Sequence, residues 1–325
     1  MSDNTINVAV LGGAGYIGQI VVKRLLERGF RVHVVDNLIH GPQDLSYLES
    51  FPNFTFEKGD INDSRVREGV SSFENIVLLA ALVGEAACDR DPELTLQSNY
   101  LSPLSLLDSS LYHGNTKRFI FISTDSCYGN RPNEVLTEES ELRPLSLYAE
   151  LKAKLEEMLL KRAKASTISA TILRLATVYG LAPRMRFDLA VNVLTREAVM
   201  KQKATIYSGE QWRPLVHVTD VAQAVELSLT SPLSKVEGEV FNVGTNEQNI
   251  KFIELGKLIH ECVPDSKVEI VPGAPDLRDY YVSFDKIKAL GFHSGISLRD
   301  GILEIKEALL NKTIPDPYLA IYRNA

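Results

Sequence analysis

Cysteine is scarce in this chain of 325 residues: Cys88, Cys127 and Cys262 are far apart and odd in number. Neither a disulfide framework nor a CxxC zinc site can be built from them, so a reducing, cytoplasmic setting is expected. Long apolar runs are missing as well. The most apolar stretch, Ile76 to Gly84, falls far short of the ~20 residues a membrane-spanning helix needs, so no membrane partner is expected. The opening residues are polar and acidic, with no positive region ahead of an apolar one, which argues against a secretory leader. Positive charge is in deficit: 35 Lys and Arg face 42 Asp and Glu, a net charge of −7 and the wrong sign for a nucleic-acid footprint. The six histidines, at 33, 40, 113, 217, 260 and 293, form no HxxxH pair and stand near no cysteine cluster, so no metal site is expected. Fixed-period repeats and low-complexity segments are absent too. With 45% apolar and 24% charged residues, what remains is a globular chain long enough for two substructures around one main core.

What is present is an alternation of short β-branched runs with longer helical periods, the mark of βαβ units and a parallel sheet covered on both faces. Strands are expected at Ile6–Leu11, Val32–Asp36, from Phe54, at Ile76–Ala80, Arg118–Ser123 and Ile168–Leu175. Helical stretches fall at Tyr16–Arg28, Pro92–Tyr112 and Pro144–Ala165. Beyond residue 175 prolines become frequent and the pattern less regular, then Val216–Ser228 reads as strand into helix and Glu239–Val243 as strand. The fold class is therefore α/β: a doubly wound parallel sheet over residues 1–175 with a return segment near 216–246. An interleaved smaller α/β domain takes the rest of 176–325. Ligands of such sheets sit at the carboxyl ends of the strands.

Gly12, Gly15 and Gly18 form a GxxGxxG turn between the first strand and a helix, where bare backbone lets a pyrophosphate approach free N–H groups. Asp36 closes the next strand 18 residues after Gly18, where a carboxylate accepts from both ribose hydroxyls and repels a 2′-phosphate. That context favours a bound NAD over NADP and over a glycine turn without a ligand. Asp60, in Lys58-Gly59-Asp60-Ile61, either reaches an adenine amino group or caps a helix. Tyr148 and Lys152 stand four apart on one helical face, and an ammonium beside a phenol stabilises tyrosinate, which makes Tyr148 a candidate base for an alcohol proton. Alone, such a pair reads as a solvated helix face. Ser123 to Gly129, just past the fifth strand, adds hydroxyls and the carboxylate of Asp125 at the sheet edge.

Together, GxxGxxG, Asp36-Asn37, Gly59-Asp60-Ile61, AALVG at 80–84, STDxxYG at 123–129, YxxxK and RLATVYG at 174–180 resemble the extended short-chain dehydrogenase/reductase family, in particular its nucleotide-sugar epimerases, dehydratases and reductases. The resemblance spans nearly the whole chain. It implies a Rossmann domain with a small C-terminal substrate domain, a tightly held NAD, a nucleotide-diphosphate sugar as substrate, and a homodimer built on the 92–112 and 144–165 helices. It assigns Gly12, Gly15, Tyr16, Ile17 and Gly18 to the pyrophosphate turn, Asp36 and Asn37 to the ribose, and Asp60 and Ile61 to adenine. It further assigns Ala80, Ala81, Asn99 and Ser123 to the rest of the cofactor. Thr124 would hold the reacting hydroxyl, Tyr148 would be the base, and Lys152 would bind the nicotinamide ribose. Val83, Thr177, Arg186, Asn192, Arg213 and Arg278 would face the nucleotide sugar.

Departures from the family pattern narrow the reading. In 4,6-dehydratases a Thr-Asp-Glu stands where this chain has Thr124-Asp125-Ser126, and a serine without an adjacent base does not remove a C5 proton efficiently. Asp125 then either acts on sugar hydroxyls or caps a turn. Thr177 replaces a phosphate-binding asparagine of many relatives, and Arg184 reads as a solvated surface charge. His217 reads as structural and Cys127 as packing. The favoured activity is a 4-epimerase acting by hydride transfer at the sugar C4. Ranked below it are a C4 dehydrogenase or 4-keto reductase, a 4,6-dehydratase, and a non-catalytic NAD-binding protein.

Overall fold

Strands alternate with helices through the first part of this chain, and a sheet results in which neighbouring strands run side by side in parallel. The computed structural model describes residues 5–273 and 278–324. In chain order the strands are β1 (Asn7–Leu11), β2 (Arg31–Asp36), β3 (Phe54–Lys58), β4 (Asn75–Leu78), β5 (Arg118–Thr124), β6 (Arg131–Leu136), β7 (Ser169–Leu175), β8 (Thr177–Tyr179), β9 (Lys203–Tyr207), β10 (Trp212–His217), β11 (Val240–Val243), β12 (Asn249–Lys251), β13 (Lys267–Val271) and β14 (Tyr280–Val282). The helices used below are α1 (Tyr16–Glu27), α2 (Ser102–His113), α3 (Leu147–Lys164), α4 (Ala190–Lys201), α5 (Val218–Thr230) and α6 (Phe252–Cys262). A seven-stranded sheet has the order β3-β2-β1-β4-β5-β7-β11, and the β1–β2, β2–β3, β1–β4 and β4–β5 pairs are parallel. The chain reverses direction across the sheet between β1 and β4, the switch point where a Rossmann fold opens its ligand crevice.

Residues divide into two compact units, 1–124 with 146–174 and 222–241, and 125–145 with 175–221 and 242–325. The first carries most of the seven-stranded sheet and its own core, in which Leu11, Ile76, Leu106, Phe119, Leu155 and Ile172 are fully buried. The second has a separate core around Tyr179, Val191, Leu215, Ile259 and Ile302. Residues 125–145, read from sequence with the first unit, group with the second, because β6 pairs in parallel with β14 and Tyr128 Oη donates to Asn242 Oδ1 at 2.7 Å. The strand of the return segment, β10, likewise pairs with β8 and β12. Such side-by-side pairings of distant segments leave no periodic trace in a sequence.

Among the described residues no helix is long and apolar enough to cross a membrane, and no cluster of three or more metal-ligating side chains occurs. All three cysteines are free and buried.

Candidate active site

In the first unit the turn after β1 is shaped by what cannot fit. Gly12 has φ +83°, and a Cβ there would stand 2.7 Å from the Ala80 nitrogen. A Cβ on Gly18 would lie 2.1 Å from the Gly12 carbonyl oxygen, so the first turn of α1 packs directly against the loop. This is a cradle of bare backbone at a helix N-terminus, the geometry that accepts a pyrophosphate. Tyr16 is buried and Ile17 half-buried at the start of α1. Asp36 is tied into the same turn: one carboxylate oxygen accepts from Ala14 N at 3.0 Å and the other from Leu38 N at 2.9 Å. Asn37 donates to Asp60 Oδ2 at 2.9 Å while Asn62 N donates to Oδ1 at 2.8 Å, so Asp60 organises the loop beside Asp36. Ile61 is buried in the core.

The 80–84 loop is held from below. Ala80 N donates to Leu11 O, and Asn99 grips Leu82 with both ends of its amide, accepting from Leu82 N and donating to Leu82 O, each at 2.8 Å. Asn99 sits in a π turn, Gln97–Leu101, that interrupts the helical stretch expected at 92–112 before α2 resumes it. Such one-turn widenings re-aim a side chain and recur at functional sites. The structure thus spends the Asn99 amide on shaping the loop that carries Ala80, Ala81 and Val83.

Tyr148 and Lys152 come together as their spacing requires. Ser146 caps α3 by accepting from Ala149 N, and Tyr148 is half-buried in the first turn. Lys152 is 2% exposed; its Nζ donates to Ile122 O at 2.8 Å, lies 4.5 Å from the Phe121 ring and 5.9 Å from the Tyr148 ring. A buried ammonium beside a phenol is placed to stabilise a tyrosinate. Thr124 ends β5 and is also nearly buried.

Ser123 lies on the other face of β5 and behaves differently from the expectation that it meets cofactor: its hydroxyl donates to Glu156. Glu156 stands one helical turn beyond Lys152, and its Oε2 accepts from both Nε and Nη2 of Arg174, at 3.0 and 2.7 Å. All three side chains are buried. Sequence reading missed this clamp between α3, β5 and β7. The available signals were the i, i+4 spacing from Lys152 and one arginine inside an otherwise uncharged strand, Ser169–Leu175.

In the second unit Asp125 begins a single 3₁₀ turn and is 2% exposed. Tyr280 Oη donates to its Oδ1 at 3.0 Å, whereas Oδ2 has no hydrogen-bond partner. Burial lifts the Asp125 carboxyl to about 7, and the nearby Arg213 and Arg278 oppose that rise. Burial also pushes the Tyr280 phenol up. The Arg213 guanidinium stands 5.3 Å from the Tyr280 ring and 5.6 Å from that of Phe252, and donates to Arg278 O at 2.8 Å. Asp125, Arg213 and Arg278 therefore converge.

Other candidates are engaged by the protein itself. Arg186 forms a fork with Asp188, the Asn192 amide accepts from Gly180 N and donates to Arg186 O, and Thr177 is a half-buried residue at the start of β8. Arg184 is 3% exposed and donates to Asn324 Oδ1 at 2.6 Å, which corrects its reading as a solvated charge: the closing residues of the chain cover it. His217 bridges Thr219 and Glu304 at the end of β10, and Cys127 is fully buried.

A family model described as the NAD dependent epimerase/dehydratase family matches residues 8–244. UDP-glucuronic acid decarboxylase 4 of Arabidopsis thaliana is 28% identical, over 91% of this chain and 67% of its own length. A dTDP-glucose 4,6-dehydratase of Streptomyces niveus is also 28% identical, over 93% of this chain and 92% of its own. A solved structure of UDP-glucose 4-epimerase with UDP-glucose from Thermotoga maritima superimposes with a TM-score of 0.83 at 31% identity, covering 95% of this chain and all of that one.

Proposed function

The chain belongs to the NAD-dependent epimerase/dehydratase family, its cofactor is NAD, and from that premise we propose that it is a nucleotide-sugar 4-epimerase. The observation that carries the reading is the Lys152 ammonium, buried on the Ile122 carbonyl and 5.9 Å from the Tyr148 ring, at the end of the strand that bears Thr124. NAD, when bound, supplies the acceptor for the C4 hydride and its return. Gly12 and Gly18 pack the turn directly against the N-terminus of α1 and leave bare backbone there, which fits its pyrophosphate. Asp36 would hold the adenosine ribose, and Ala80, Ala81 and Val83 line the loop beside the turn. Thr124 holds the C4 hydroxyl by a hydrogen bond. Tyr148 takes its proton, and Lys152 keeps the phenolate stable and anchors the nicotinamide ribose. Arg213 and Arg278 hold the diphosphate, for which planar guanidinium groups are suited.

Ser126 supports epimerisation over dehydration, since its hydroxyl is no base for a C5 proton. A C4 dehydrogenase or 4-keto reductase is the second reading, and it shares every residue named above. Denaturing the purified protein and identifying the released cofactor, then incubating native protein with UDP-, dTDP-, GDP- and CDP-hexoses, separates the two. Bound NAD with an isobaric product and no net NADH is the expected result. Accumulating NADH with a product two mass units lighter establishes the dehydrogenase, and loss of water overturns the role given to Ser126. The reading includes a homodimer through the 92–113 and 147–164 helices, where Leu96, Leu101 and Tyr112 are exposed; light scattering checks it.

A further inference from the structure

We infer that Tyr318 and Asn324 are positioning residues for nucleotide-sugar binding, acting through the segment 184–192, which is irregular up to 189 and then opens α4. The inference rests on the reading that this segment, with Arg186 and Asn192, faces the nucleotide sugar.

Residues 181–189 form no regular element before α4 begins at Ala190, so their own backbone hydrogen bonds do not hold them in place. Residues 314–324 supply what is missing. Phe187 N donates to Tyr322 O at 2.8 Å, and the two rings meet edge to face with centroids 6.0 Å apart. Arg184, buried, donates to Asn324 Oδ1. Arg196, on α4, has its guanidinium 5.2 Å from the Phe187 ring and 4.6 Å from the Tyr318 ring, and donates to Pro317 O at 3.2 Å. Lys201, a turn further along α4, lies 5.2 Å from the same Tyr318 ring.

These contacts are unlike ordinary core packing in their chemistry. Two guanidinium groups, nearly buried, each donate to a residue of 314–324, Arg196 pairing also with Glu197, and the Phe187 and Tyr318 rings both lie near Arg196. Asn192 carries the effect onward, because its amide holds Arg186 O and Gly180 N. A loop that is ordered before ligand arrives does not lose that freedom on binding, so a brace of this kind raises affinity without touching ligand. Removing the brace returns the ordering cost to the binding step.

The experiment uses the full chain. Calorimetry against UDP, dTDP, GDP and CDP finds the nucleoside diphosphate that binds tightest, and the same titration is run on Tyr318→Ala, Asn324→Ala and Tyr318→Phe. Each alanine variant is expected to raise Kd by about threefold to tenfold. In turnover with the matching nucleotide sugar the loss should appear in KM, and NAD content should stay at the parent level. Tyr318→Phe keeps the ring against Arg196 and should bind as the parent does. A lowered melting temperature in the alanine variants with Kd within twofold of the parent overturns the inference. Hydrogen exchange on the parent tests the underlying reading separately. Protection of the 184–192 amides by the nucleoside diphosphate supports it, and absence of protection overturns that reading whatever the variants do.

Discussion

The two units of this chain treat their candidate residues in opposite ways. In the first, the glycine turn, Asp36 and the Tyr148–Lys152 pair lie on single βα units, and secondary structure alone places them. In the second, Asp125, Arg213, Arg278 and Tyr280 come from segments up to 155 residues apart, and most candidates are already bonded to the protein. The first unit is built to receive a ligand whose shape is known in advance to the backbone. The second is held together by side chain against side chain rather than by one motif.

The largest effect expected from breaking this contrast is chemical. Tyr148→Phe should lower turnover by about 10²- to 10⁴-fold, the scale of a lost acid–base group, while released NAD per chain is unchanged. Turnover equal to the parent's would remove Tyr148 as the base. A smaller and purely structural effect is expected beneath it. Glu156→Gln takes the Glu156 carboxylate from the buried Arg174, for which a loss of about 3–5 kcal/mol is typical. Thermal melting should show it, and Glu156→Met combined with Arg174→Leu should recover much of the loss, because both charges then leave the interior together. Recovery of melting temperature without recovery of activity would show that the clamp also sets the position of Lys152, one turn away on α3.

How much of this was legible beforehand follows the same division. The βαβ order, the glycine turn after β1, the place of Asp36 at the end of β2 and the shared helical face of Tyr148 and Lys152 were readable, because each depends on residues within one or two elements and on steric rules that hold everywhere. Glu156 was not, since a glutamate in a helix reads as solvated until its partner from another strand is known. The role of Asn99 was displaced by one step: the motif pointed to the cofactor, and the π turn directs the amide to Leu82 instead. Arg184 was misread because nothing local reveals that residues some 140 positions later lie over it. Tyr280 went unremarked for the same reason, although it is the partner that defines Asp125.

Asp125 offers the sharpest test of the second unit, through pH. Its carboxyl is raised to about 7 by burial, far above the range of an unfolded chain, so the folded state binds a proton that the unfolded state releases between about pH 4 and 7. The group therefore contributes stability below pH 4 that is lost as pH rises through 7. The loss is on the order of 4 kcal/mol at most, because each tenfold change in proton affinity is worth about 1.4 kcal/mol. Asn at this position keeps an acceptor for Tyr280 and carries no charge at any pH. Melting curves of the parent and Asp125→Asn between pH 5 and 8.5 should diverge, the variant gaining on the parent up to about pH 7 and running parallel above it. Taking the difference between the two proteins cancels every other titrating group. Parallel curves throughout would mean that the carboxylate stays ionised, with Arg213 and Arg278 outweighing burial. Asp125 would then belong with the two arginines as a standing charge that shapes how they meet a diphosphate. Divergence instead leaves a neutral acid hydrogen-bonded to Tyr280 near neutral pH, and the arginines keep their full positive charge for the phosphates.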